Sequence, residues 1–158
     1  MTMEGHGRRP GTHAGFAELG RVLVVRLGPG EVMLPAMERL IDDAGLSAGV
    51  ILSGVASLHH ATVRNIIRFP AEYPITTDDR RITTVPGPLE ILATQGNFAR
   101  TATGELIIHC HVDFSVGVPG AVTYGGHLVE DTIVATTCEL YLAELVGAEV
   151  QREPDPVT

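Results

Sequence analysis

The sequence predicts an α+β domain: a largely antiparallel, curled β-sheet of about seven strands with one main α-helix packed against it. Three observations lead there. Only one stretch carries a 3.6-residue apolar period, whereas seven runs rich in β-branched residues are bounded by turn-forming residues. Six of those runs follow the helix with no second helix between them, which leaves no crossover of the kind parallel strands need. Aromatics are only 4% of the chain and Trp is absent, so the core has to be filled by Val, Ile, Leu and Ala, a composition suited to sheet. A length of 158 residues fits one domain.

Residues 1–20 hold five Gly, two His and a Pro with little apolar periodicity, and read as a flexible leader. Order is expected from Arg21-Val-Leu-Val-Val-Arg-Leu27, a strand closed by Gly28-Pro29-Gly30. From Glu31 to Ala44 the pattern turns helical. Met33, Met37, Leu40, Ile41 and Ala44 fall on one stripe, with Glu38, Arg39, Asp42 and Asp43 largely opposite. Pro35 fits only a first turn, so the helix starts at 31–34, and Gly45 supplies the stop. Strand-like runs follow at Ala48–Leu58, Ala61–Phe69, Leu89–Gly96, Glu105–Phe114, Val122–His127 and Thr132–Val146. The last is long enough to contain a bulge or to curl around the sheet. Pro70 to Pro88, with its prolines and the charged Asp78-Asp79-Arg80-Arg81, reads as an irregular excursion. The domain is thereby expected over 21–147, with a flexible tail over 148–158.

A net charge of −8 works against general affinity for phosphate backbones, which rests on Lys and Arg. No stretch approaches the ~18 apolar residues of a membrane span, and the N-terminus lacks the layout of a signal peptide. Two cysteines, Cys110 and Cys138, make no disulfide framework, and the expected setting is cytoplasmic with reduced thiols.

The informative chemistry lies in Ile107-Ile108-His109-Cys110-His111-Val112. Residues i and i+2 of a strand share a face, their Cα atoms about 6–7 Å apart, so both imidazoles can converge on one ion while Cys110 points away. Tyr124-Gly125-Gly126-His127 follows, with two glycines that permit close backbone approach and a third imidazole on the next strand. Three neutral imidazoles with an open fourth position match a catalytic rather than a closed structural zinc site. Imidazole also suits iron, nickel and copper. The competing reading is three ordinary half-buried sheet histidines.

Leu27-Gly28-Pro29-Gly30-Glu31, Ala48-Gly-Val-Ile-Leu-Ser-Gly-Val-Ala-Ser-Leu58, Pro88-Leu-Glu-Ile-Leu92, His109-Cys-His111 and Tyr124-Gly-Gly-His127 occur in order. Together they resemble the PPC (plants and prokaryotes conserved) domain, over roughly Arg21 to Val146. The resemblance implies an antiparallel sheet wrapped beside one helix and a homotrimer. It also implies a bound metal, since the histidines of metal-associated prokaryotic members fall here on His109, His111 and His127. Plant members generally lack these histidines and carry DNA-binding AT-hooks outside the domain. The fold is also similar to that of acetolactate decarboxylase, where three histidines hold a catalytic zinc.

Other residues are weighed beside these. Glu90, a carboxylate in an apolar strand, is a candidate acid/base near the metal, against the alternative of an outward-facing position. His59 and His60 face opposite ways, so at most one lines a pocket. Arg64 and Arg68 could grip a carboxylate substrate, although a solvated face or subunit contact is preferred. Ser53 lacks a nucleophile elbow and is rejected. Gly7-Arg8-Arg9-Pro10 has no Gly between its arginines, so it departs from the core of an AT-hook. The leading expectation is a metal-dependent enzyme acting on a small oxygenated substrate by decarboxylation, hydration or dehydration, or hydrolysis, with Glu90 moving a proton. The alternatives are a DNA-binding or regulatory trimer with a structural metal, and a metal-loaded interaction module without turnover.

Overall fold

In the computed structural model, which describes residues 14–117 and 121–154, seven strands and one α-helix follow in the order β1 (Glu18–Leu27), α1 (Met33–Asp43), β2 (Ala48–Ile66), β3 (Arg80–Thr101), β4 (Leu106–Val116), β5 (Thr123–Leu128), β6 (Ile133–Val146) and β7 (Gln151–Arg152). This is the expected α+β class. A single 3-10 turn, Thr77–Asp79, precedes β3. The arginine pair of the N-terminal segment, Arg8-Arg9, lies outside the described residues.

α1 forms where the apolar stripe predicts. Pro35 sits in its first turn, and Met33, Ala36, Met37 and Ile41 are buried. Gly45, at φ +64°, ends it: the Gly45 N–H donates to the Asp42 carbonyl and Leu46 N–H to that of Ile41. Each fully buried Met or Ile on this face contributes about 1.5–3 kcal/mol. The stripe shares one core with Val25 and Leu27 of β1, Cys110, Val112 and Phe114 of β4, and Cys138, Leu140 and Leu142 of β6.

The sheet order is β1-β6-β2-β5-β4-β3-β7, and β2 also pairs with β3. The strands β2, β3, β4 and β5 therefore form a closed circuit, which is how the sheet curls. All pairings are antiparallel except β3 with β7. Four details differ from the sequence reading. β1 begins at Glu18 rather than Arg21, because Glu18 and Leu19 already pair with Val146 and Leu145. The two runs at 48–58 and 61–69 are one strand, β2, with a bulge at Leu58/His60 where both ladders slip register. The excursion after Pro70 ends at Arg80, and β3 runs straight through Pro86 and Pro88. There β3 pairs only with β2, since β4 joins at Leu89, so prolines are tolerated on an edge strand. β7 lies within the segment expected as tail and pairs with Arg100 and Thr101.

Candidate metal centre

β4 alternates cleanly: Ile108, Cys110, Val112 and Phe114 are buried, and His109, His111 and Asp113 are exposed. Cys110 is wholly buried in the core, where burial pushes its thiol up to about 12. A neutral thiol buried in the core is no metal ligand. The outward His109 and His111 stand on the opposite face.

β5 delivers the third imidazole. His127 is the direct cross-strand partner of His111, and Gly126 and Gly125 oppose Val112 and Asp113. The glycines are needed because other side chains occupy their Cβ positions. A methyl on Gly125 would collide with the Asp113 carboxylate and the Val112 carbonyl, and one on Gly126 would lie 2.7 Å from Asn65 Oδ1. β5 shares only two ladder pairs with β2, Val63–Leu128 and Arg64–His127. Side chains reinforce both ends of that short seam. Asn65 Nδ2 donates to the Gly125 carbonyl at 3.0 Å, and Thr62 N–H donates to Thr132 Oγ1 at 2.9 Å. His127 is thus held where β5 pairs with both β2 and β4.

The three ring centroids lie 5.1, 4.9 and 5.4 Å apart, and one ligand nitrogen from each ring lies within 4.8 Å of the others. His109 Nε2 and His111 Nε2 are 3.1 Å apart. Two nitrogens at the ~2.05 Å of a tetrahedral zinc would be about 3.3 Å apart, so the donor set fits a transition metal. Burial, followed by His111, Arg152 and Arg64, holds His109 below its ordinary range. His127 is pushed down to about 4, first by burial and then by Arg64, His109, His111 and Arg80. Both rings are therefore neutral near pH 7, the state a metal ligand needs.

The remaining candidates are dispersed. Glu90 is exposed and opposes Ser115 on β4, the same outer face as His111 but four residues further along, about 13 Å. A glutamate side chain does not span that gap within one chain. His60 Nε2 lies 3.2 Å from Asp131 Oδ1, while His59 is exposed. Arg68 and Arg64 are separated in role. Arg68 Nε donates to Asp79 Oδ1 at 2.6 Å, and the Thr76 N–H and hydroxyl both donate to Asp79 Oδ2. Arg64 instead flanks His127. Asp113 was not among the sequence candidates, although the alternation His109-x-His111-x-Asp113 places it on the ligand face one step from His111.

The chain matches the family model of the Plants and Prokaryotes Conserved (PCC) domain over residues 14–146. It resembles a plant- and prokaryote-conserved protein from Pyrococcus horikoshii, with 25% identity, a TM-score of 0.73, and 91% of this chain and 92% of that one covered. A metal-containing protein from Archaeoglobus fulgidus is similar in fold, with 24% identity, a TM-score of 0.71, and coverage of 91% and 93%. Folds named as candidate DNA-binding proteins, from Bacteroides thetaiotaomicron and Ralstonia eutropha, align at 16% and 20% identity with TM-scores of 0.69 and 0.66 and cover 90% and 84% of this chain and 92% and 83% of theirs. Among curated proteins, the chain is 31% identical to the bifunctional protein GlmU of two Synechococcus strains, over 95% and 87% of its own length. It spans only 23% and 19% of those relatives.

Proposed function

The chain belongs to the Plants and Prokaryotes Conserved domain family, and from that premise we propose that it is a metal-dependent small-molecule enzyme of lyase, hydratase or hydrolase type, with zinc the first choice of metal. One observation carries this reading: three imidazoles converge on one sheet face, and that face supplies no fourth histidine or cysteine among the described residues. A closed structural site uses four protein donors, whereas a three-donor set leaves a position for substrate. Bound there, the metal would supply Lewis-acid polarisation of a carbonyl or carboxylate. The description of the Archaeoglobus protein as metal-containing agrees with this, although a likeness at that identity speaks for fold.

The chain's own residues would do the rest. His109, His111 and His127 hold the ion. The buried rows beneath, Cys110, Val112 and Leu128, fix the imidazole-bearing strands in place. Proton transfer falls to a carboxylate of the same face. Asp113 is one step from His111 within the chain, whereas Glu90 comes within reach only when a second copy presents it. The proposed role of Glu90 therefore depends on the proposed homotrimer. Self-association is supported by apolar side chains on the outer sheet face, including Val24, Val55, Leu92 and Tyr141. The assignment of a cytoplasmic setting rests on Cys110 and Cys138, both free and buried. No helix among the described residues is long and apolar enough to cross a membrane.

DNA binding is the weaker reading. Its support is the naming of two neighbours at 16% and 20% identity, and a net charge of −8 opposes it. The test is elemental analysis of the purified protein beside His127→Ala, followed by a screen of small oxoacids and hydroxyacids for metal-dependent turnover. Equal metal content in the two proteins sinks the three-histidine site. Full metal content without turnover on any compound, together with salt-sensitive duplex binding, would favour the DNA reading.

A further inference from the structure

The row of outward side chains containing His127 does not end at the histidines. Arg64 of β2 is the cross-strand neighbour of His127, so the face reads Arg64, His127, His111, Gln95 across β2, β5, β4 and β3. Arg80 shares this face. Ile82 opposes Arg64 and Arg80 opposes Ile66, which sets the two arginines diagonally, about 7–8 Å apart at Cα.

These cations stand out in an acidic chain that contains no lysine. Arg21, Arg39, Arg68 and Arg100 are paired with Glu144, Glu31, Asp79 and Asp42, Arg152 donates to Asn97 Oδ1, and Arg26 and Arg81 are exposed. Arg64 and Arg80 are half-buried, and among the described residues neither lies within ion-pair distance of a carboxylate. Burial and the nearby Arg80 press the Arg64 pKa down, and both arginines act on His127. Two guanidinium groups beside a cluster suited to a metal cation repel one another and the ion at short range. An anion between them converts that repulsion into attraction, and the planar fork of Arg matches an oxyanion with two parallel hydrogen bonds.

We propose that Arg64 and Arg80 form an oxyanion-binding arm of the three-histidine site, and that its substrate carries a carboxylate or phosphoryl group seated against the His127 edge of the cluster. The reacting end of that substrate rests on the metal reading above; the arginine arm stands without it.

Isothermal titration of the full chain, metal-free and then loaded with Co2+, tests the arm with acetate, inorganic phosphate and neutral acetamide. At least one oxyanion binds, acetamide does not, and the tighter of acetate and phosphate names the group. Arg64→Gln and Arg80→Gln each weaken that oxyanion at least tenfold while cobalt stoichiometry stays that of the unaltered chain. Arg68→Gln, whose parent side chain is held by Asp79, leaves oxyanion affinity unchanged. Circular dichroism confirms that each variant is folded, and the two arginine variants test the arm independently. Equal oxyanion affinity in the unaltered chain and both variants, or binding of neither anion to either form, overturns the proposal. Failure to take up cobalt sinks the metal reading instead. In that case the metal-free titration decides the arm: oxyanion binding lost in Arg64→Gln upholds it, and binding retained overturns it.

Discussion

His111 and His127 are direct cross-strand partners in the β4–β5 ladder, with ring centroids 5.4 Å apart and planes at 87°. Residues opposed in a ladder share a face, so this pairing, rather than closeness in sequence, joins the Gly-Gly-His segment to the His-x-His pair.

The first prediction follows from that register. His111→Ala and His127→Ala each remove one donor of three and are expected to lower bound zinc to below about a tenth of its original content, since sites held by two imidazoles are far weaker. Cys110→Ala keeps its metal, because that thiol lies in the core. Elemental analysis after gel filtration checks all three. Metal lost from the Cys110 variant, with the fold intact by circular dichroism, would reassign the ligand set.

A second prediction concerns the turn that aims His127. In Gly125→Ala the new methyl meets the Asp113 carboxylate and lies 2.7 Å from the Val112 carbonyl oxygen. Backbone cannot yield as a flexible side chain does, so β5 must shift, at a cost of about 1–3 kcal/mol. Met37→Ala, wholly buried on α1, costs about 2–5 kcal/mol by leaving a cavity. Both lower the denaturation midpoint. Only Gly125→Ala also weakens metal retention, because only it displaces a ligand strand. Equal retention in the two variants would show that the glycines serve folding alone.

The sequence made the α1 stripe and the β4 alternation legible because each depends on local period. Met33, Met37 and Ile41 bury as one face, and His109 and His111 emerge opposite Cys110. Long-range pairing leaves no such local mark. Nothing in Pro86 or Pro88 reveals that this stretch of β3 lacks a partner on one side, so prolines that signal a loop lie inside a strand. The same limit applied to Glu90 and Asp113. The first attracted notice through a recognisable motif yet lies about 13 Å from His111. The second, one alternation step away, belongs to no recognisable motif. Arg64 and Arg68, equivalent by spacing, are separated by a contact no period encodes: Asp79 captures only Arg68.

A third prediction concerns acid stability. Hydrogen bonds from Arg68 and Thr76, followed by the charge of Arg68, hold the buried Asp79 carboxyl at about 2, against an ordinary 3.8. A carboxyl depressed on folding contributes stability that is fully present above about pH 4 and is lost as pH falls toward 2, because the unfolded chain takes up the proton first. Asp79→Asn removes this dependence. Thermal melts of the two proteins should differ most above pH 4 and converge toward pH 2. A constant gap across that window would mean that Asp79 acts through packing rather than charge.

The last prediction separates the two carboxylates once a turned-over substrate is in hand. Loss of a general acid or base lowers kcat by about 10²–10⁴-fold, and neither residue is a metal ligand in the proposed site, so metal content stays constant in both variants. If Glu90 serves a neighbouring copy, Glu90→Gln alone is inactive, as is His127→Ala. Oligomers assembled from both chains then recover part of the activity, because one copy supplies intact histidines and the other an intact Glu90. Asp113→Asn mixed with His127→Ala recovers none under an Asp113 mechanism, since the intact Asp113 and the intact histidines sit on different chains. Recovery in the Glu90 mixture therefore establishes both the shared site and the oligomer. A loss on Asp113→Asn with full activity in Glu90→Gln places proton transfer within one chain and removes the need for a partner at the site.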